Sequence, residues 1–301
     1  MRPCVIAVFL IALLSMPVVA VATTLTRLTT GSQIDADPCF SPDGSQIAFV
    51  QQGEVWLMPS SGEPATIQLT FLDPHIQWPT WSPDGTSIAF IGGSWPLALW
   101  VVPANGGQPI ELLNSRGDKR HPSWKPDGTQ IAFSVLGPDS YDIWVIPATG
   151  GTPLPLIVTT SNEADPTWSP DGSKIAFTSN RGGNYEIYSQ SLSGGPAVQL
   201  TSLGGTNLEP VWSPDGNWIA FAHMASPSEI WVVPAVGGTS ICVTASQGCY
   251  DGSPGWSPDS RTIVFDRLST VPEDIWTASD LPIGPTRIAQ TTWGHIKAMY
   301  R

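Results

Sequence analysis

Apolar and polar positions recur along this chain in one ten-residue pattern. It reads Trp168-Ser169-Pro170-Asp171-Gly172-Ser173-Lys174-Ile175-Ala176-Phe177, and five further versions start at Phe40, Trp81, Trp124, Trp212 and Trp256. Their second prolines, Pro42, Pro83, Pro126, Pro170, Pro214 and Pro258, are spaced by 41, 43, 44, 44 and 44 residues. A fixed period in that range means a repeat architecture. Within the fourth copy, 165–169 is a short extended run entered through Pro166, and Pro170-Asp171-Gly172 is a turn. Residues 174–179 alternate toward β-branched and aromatic side chains and predict a strand. Two more turns, at 180–184 and at Ser193-Gly194-Gly195, separate strands predicted at 185–190 and 197–201.

Each period therefore holds four short antiparallel strands. A lone four-stranded sheet with two apolar faces cannot hide both from water, whereas six packed face to face around an axis can. The predicted fold is all-β, a six-bladed β-propeller of four-stranded antiparallel blades. The first strand carries Phe40, Trp81, Trp124, Trp168, Trp212 and Trp256, and the third carries Trp56, Trp100, Trp144, Tyr188, Trp231 and Trp276. Ten of the fourteen tryptophans thus occupy two positions of the repeat. Large rings at fixed positions are read as inter-blade core, with no ligand role.

Blades are expected at 31–70, 71–113, 114–159, 160–201, 202–244 and 245–291. The run 24–30 matches the repeat's fourth strand and is surplus by one. It closes the ring on the last blade, either adding to a strand at 286–290 or replacing it. Residues 1–22 have the layout of a secretion signal: Arg2, an apolar run at 4–14, and Ala20-Val21-Ala22 as a small-x-small site. The apolar run is short for a membrane span. The domain reading is a signal at 1–22, a propeller at 23–291 and a tail at 292–301, in a periplasmic or extracellular monomer.

Composition narrows the function. The formal net charge is −12, which argues against nucleic acid and anionic lipid. The 29 glycines and 30 prolines are those of a turn-rich β protein. Three cysteines follow the signal. Cys242 and Cys249 are expected to form a disulfide across a short connection, leaving Cys39 as a buried thiol. No Cys-x-x-Cys spacing points to zinc, no loop has the dense alternating carboxylates of a calcium site, and no cofactor is expected.

Topology places a candidate site. If the first strand runs from top to bottom, the residues just before each repeat's first proline lie at the top, nearest the axis. They are Asp37, Trp78, His121, Asp165, Glu209 and Ser253, with Asp35, His75, Asp118, Arg120, Glu163 and Asp251 nearby. An acidic ring around a narrow mouth focuses negative potential and suits a cation or a basic segment of a partner. The surface expected to bind a protein or peptide partner of the cell envelope is Asp37, Trp78, His121, Asp165, Glu209 and Asp251. The chain has no Gly-x-Ser-x-Gly elbow, and the Ser-Pro-Asp-Gly runs are turn chemistry, so no catalytic residue is assigned.

The repeats from Trp168-Ser169-Pro170-Asp171-Gly172 through Tyr185-Glu186-Ile187-Tyr188 and Gly194-Gly195 resemble the propeller of the TolB family. Their WD-repeat-like blades are also seen in tricorn-type and prolyl-oligopeptidase-type proteins. The resemblance covers nearly all of 24–291. It implies a partner-binding module, like the family's periplasmic docking propeller for an outer-membrane lipoprotein, here free-standing without that member's N-terminal α/β domain. Two alternatives stand beside it. The similar oligogalacturonide lyases hold a divalent metal with histidines on this face, which makes His75, His121 and His223 a candidate metal set. A structural component of an envelope assembly would instead expose an apolar side or edge.

Overall fold

The computed structural model describes residues 23–283 apart from 63–65, 73–74, 116, 246–247 and 270–271. The described residues form six four-stranded antiparallel sheets and no helix. The signal-like segment, the strand expected at 286–290 and the tail lie outside them.

The innermost strands are Asp35–Phe40, Gln77–Trp81, Lys119–Trp124, Glu163–Trp168, Asn207–Trp212 and Tyr250–Trp256. Five blades run in sequence order from inside to outside. The sixth is built from both ends of the described chain: Thr24–Arg27 pairs antiparallel with Asp274–Ser279 and supplies that blade's outer strand. The N-terminal strand thus closes the ring, in the outer position itself.

The second strand of each blade is buried on both faces, which is why it reads as a continuous apolar run. Ile47, Ala48 and Phe49 are wholly buried, as are Ile175, Ala176 and Phe177. Phe49, Phe90, Phe133, Phe177, Phe221 and Phe265 recur at one position, and each full burial is worth roughly 1.5–3 kcal/mol. The core is divided among the blade junctions. Ala48 and Leu57 of the first blade pack with Trp81 and Phe90 of the second. Val264 and Ile275 of the sixth pack with Ile47, Phe49 and Met58 of the first. Every junction has such a cluster, so no blade shelters its own faces.

Two local devices repeat. In the Pro-Asp-Gly turn, Ser169 Oγ donates to Asp171 Oδ1 at 2.6 Å, and Asp171 also accepts the backbone N–H and hydroxyl of Ser173. Gly172 follows at φ 68°, where a side chain would strain the turn. The third blade has Lys125 in place of the serine and makes an ion pair to Asp127 at 2.7 Å. At the outer edge, Thr70, Thr201, Thr244 and Thr29 each accept, through Oγ1, the backbone N–H of Val55, Ile187, Ile230 and Ile275 respectively. Thr29 plays for the last blade the part its counterparts play within their own blades.

Candidate functional site

The six residues before the repeat's first proline sit inside the innermost strands. Each is the bulged residue of its strand: the register with the second strand slips between Ala36 and Cys39, Gln77 and Thr80, Arg120 and Ser123, Ala164 and Thr167, Leu208 and Val211, and Gly252 and Gly255. All six adopt positive φ, between 46° and 57°. The conformation is uncommon outside glycine, and an outlier for a residue as bulky as Trp78. Each bulge aims its residue at the axis. The proline that follows removes one N–H from the strand edge facing the channel, where a free donor would invite pairing.

Together the bulges line an axial void of about 160 Å³, with the six prolines beneath them. A hydrogen-bond circuit joins neighbouring blades there. Trp78 N–H donates to Asp37 Oδ2 at 3.0 Å, Glu209 N–H to Asp165 Oδ2 at 3.3 Å, and Ser253 N–H to Glu209 Oε2 at 2.9 Å. The Ser253 hydroxyl donates to Asp37 Oδ1 at 3.0 Å. Two of the other bulges turn to a second strand: Asp37 N–H donates to Asp266 Oδ2 and Asp165 N–H to Ser134 Oγ.

His121 is the cation of this ring. Its Nδ1 lies 2.7 Å from Asp165 Oδ1 and its Nε2 3.5 Å from Glu209 Oε1, while its ring sits 4.2 Å from that of Trp78. Burial opposes its protonation, but the charges and hydrogen bonds of Asp165 and Glu209 outweigh it and hold the imidazole at about 10. Asp165 is held below the usual carboxylate range: burial pushes it up, and the charge and hydrogen bond of His121 more than offset that. Across the channel the balance reverses. Asp37 is raised by burial and by the charge of Glu209, despite the bond from Trp78. Asp266 is raised well above the usual range by burial, then by Glu273 and Asp37. One side of the mouth is a charge pair, and the other a crowded set of carboxyl groups.

Five of the six residues expected at the partner surface line this mouth: Asp37, Trp78, His121, Asp165 and Glu209. Asp251 does not. Its side chain is buried against Arg267, with Nε to Oδ1 at 2.6 Å and Nη2 to Oδ2 at 2.8 Å, and Ser253 holds the sixth position. Asp266 is the polar residue the repeat reading missed. Its counterparts are Val50, Ile91, Ser134, Thr178 and Ala222, so a lone carboxylate at a mostly apolar position of the repeat was the signal.

The three histidines occupy separate settings. His75 is exposed on a crossover, His121 is in the channel, and His223 Nδ1 lies 2.8 Å from Asn207 Oδ1 with its ring against Trp231. Among the described residues no group of three metal-capable side chains is assembled. The cysteines are also reassigned. Cys39, Cys242 and Cys249 are all free thiols, so the expected Cys242–Cys249 disulfide is not formed. Cys242 Sγ instead contacts Glu229 Oε2 at 3.4 Å and accepts from Ala245 N–H at 3.3 Å. Cys39 donates to Pro79 O at 3.0 Å, and burial pushes its thiol up to about 12.

Solved structures share this architecture at low identity. One assigned as TolB from Agrobacterium tumefaciens is 20% identical with a TM-score of 0.69, over 85% of this chain and 96% of that one. TolB from Acinetobacter baumannii is 20% identical with a TM-score of 0.62, over 83% of this chain and 64% of that longer one. An oligogalacturonate lyase in complex with manganese is 18% identical with a TM-score of 0.59, over 88% of this chain and 95% of that one. No curated protein sequence matches the chain. The TolB beta propeller domain pattern, PD40, matches residues 67–280, and the chain belongs to that family.

Proposed function

We propose that this chain is a non-catalytic, exported recognition module that binds a protein or peptide partner of the cell envelope through the mouth of its axial channel. The observation that carries the reading is the convergence of six bulged residues, one per blade, on that mouth. Asp37, Asp165 and Glu209 face a single cation, His121, so the mouth offers net negative charge to a basic segment of a partner. The interblade bonds fix these groups before a partner arrives, which reduces the cost of ordering them on binding. Export rests on the signal-like layout of residues 1–22, and the propeller unit is assigned to 23–291.

The lyase likeness keeps a second reading open to test. The same acidic mouth is a poor match for a polyanionic sugar chain, and His75, His121 and His223 do not gather into a ligand set. The structural-component reading draws on Ile67, Ile110, Leu154 and Val198, exposed on outer strands; they stand one to a blade rather than as one patch.

The test places a photo-reactive residue at Ser253, in the lining of the mouth, and at Ser193, in a turn on the opposite face. Exposed to an envelope extract, position 253 is expected to give discrete protein adducts and position 193 none. Equal labelling at both would overturn the reading. Metal content and turnover of oligogalacturonate, measured on the same preparation, test the lyase alternative.

A further inference from the structure

The blades differ in what covers the aromatic ring of the third strand. In the sixth, Arg267 is bonded to the Asp251 carboxylate and lies 5.1 Å over the ring of Trp276. In the fourth, Arg181 reaches Glu163 at 2.7 Å and lies 5.0 Å over Tyr188. The fifth uses His223, held by Asn207, 5.7 Å from Trp231. Each pairs an acceptor on the inner strand with a flat nitrogenous group stacked on the aromatic side chain, an arrangement favoured by the ring's quadrupole.

The second blade keeps the aromatic side chain, Trp100, and lacks the cover. Ile76 and Gly92 stand where Asp251 and Arg267 stand in the sixth blade. A pocket of about 210 Å³ opens there, lined by Gly92, Gly93, Ser94, Trp100, Glu111 and Asn114. A Cβ on Gly93 would lie 3.6 Å from Trp100 Nε1, so the second glycine keeps the indole accessible. A carboxylate is present as well. Glu111 pairs with Trp100 across the third and outer strands, accepts Asn114 Nδ2 at 3.2 Å, and has no ion-pair partner among the described residues. The nearby Lys119 ammonium is enclosed by the carbonyls of Leu97, Ser115 and Gly117. Trp95 and Phe71, 71% and 78% exposed, adjoin the pocket residues Ser94 and Leu72.

We propose that this pocket takes the guanidinium of an arginine side chain from a bound polypeptide, in the place where the fourth and sixth blades supply their own. The guanidinium stacks on Trp100, Glu111 balances its charge, and Trp95 and Phe71 flank the adjoining chain. The proposal rests on the reading that the top face meets a polypeptide, but it concerns the rim of the second blade and not the channel.

The experiment titrates the protein with N-acetyl-arginine amide and follows the tryptophan indole N–H signals by NMR, with Trp100 assigned through Trp100→Phe. A saturable shift of the Trp100 signal is expected. Glu111→Gln should weaken it by up to about fivefold, as loss of an exposed charge pair implies. The double change Ile76→Asp and Gly92→Arg should fill the pocket from within and abolish the shift. Should the double variant fail to fold, Glu111→Gln with a wild-type melting curve carries the test. No saturable shift, an equal response to N-acetyl-lysine amide, or an unchanged affinity in Glu111→Gln overturns the proposal. The titration uses no partner protein, so its failure leaves the channel reading standing.

Discussion

Asp37 Oδ2 accepts the backbone N–H of Trp78 at 3.0 Å, so a carboxylate of the first blade fixes the bulge of the second. Its other oxygen accepts the Ser253 hydroxyl. Asp37→Ala would leave both donors without an acceptor in a largely buried setting, at a cost of ~1–3 kcal/mol. Asp37→Asn keeps one carbonyl oxygen and removes a carboxyl group that burial already disfavours when ionised. Urea midpoints are expected to rank wild type and Asn close together, with Ala well below.

The His121–Asp165 pair sets a pH window. The folded imidazole is raised from 6.5 to about 10, so its stabilisation is complete below pH 6.5 and is lost as pH rises through about 10. Asp165 is depressed below 3.8, so its contribution is complete above pH 3.8 and is lost as pH falls through its folded value. Both are whole between those limits. His121→Gln is expected to flatten the alkaline limb of Tm against pH. An alkaline limb that matches wild type would remove the pair from the account.

Asp266 works in the opposite sense. Its folded carboxyl titrates well above 3.8, so folding loses stability as pH rises from 3.8 through that folded value. Asp266→Asn retains an acceptor for Asp37 N–H and carries no charge. Its Tm at pH 7 should exceed wild type by ~2 °C or more, and the gain should vanish at pH 3. Differential scanning calorimetry at the two pH values decides it.

Much of this was legible in the residues. The period fixed the number of blades, and the residue before each first proline marked the channel. That position is readable because the proline and its bulge are a local backbone event, repeated whatever the side chain. Asp251 was misplaced because charge was preferred over register: two residues before Pro254's neighbour, it faces Arg267 inside the blade. Which carboxyl groups crowd together depends on second-strand residues such as Asp266, hundreds of residues from Asp37 in the chain, and on neighbours that only ring closure brings near.

The thiols give a direct check on the cysteine assignment. Under oxidising conditions the native protein is expected to keep Cys242 and Cys249 reduced, so intact mass after blocking with iodoacetamide in denaturant should show every thiol alkylated. A mass lower by two blocked thiols would restore the disulfide. Cys39, bonded to Pro79 O and raised to about 12, should react under native conditions far more slowly than after unfolding.

Thr29 tests the closure. Its hydroxyl oxygen accepts Ile275 N–H at 3.0 Å across 246 residues of sequence, and both are buried. Thr29→Val should lower stability by ~1–3 kcal/mol, as expected for a buried N–H left unpaired. A change under about 0.5 kcal/mol in the urea midpoint would show the latch to be dispensable.

That latch also dictates an order of assembly. The strand Thr24–Arg27 emerges early from any machine that delivers the chain N-terminus first, yet its partner, Asp274–Ser279, arrives about 250 residues later. Until then the sixth blade is incomplete, and the face of the first blade carrying Ile47, Phe49 and Met58 lacks the neighbour that covers it. The pairing that turns an arc into a ring can form only once residues 274–279 have been delivered, after the strands of the other five blades.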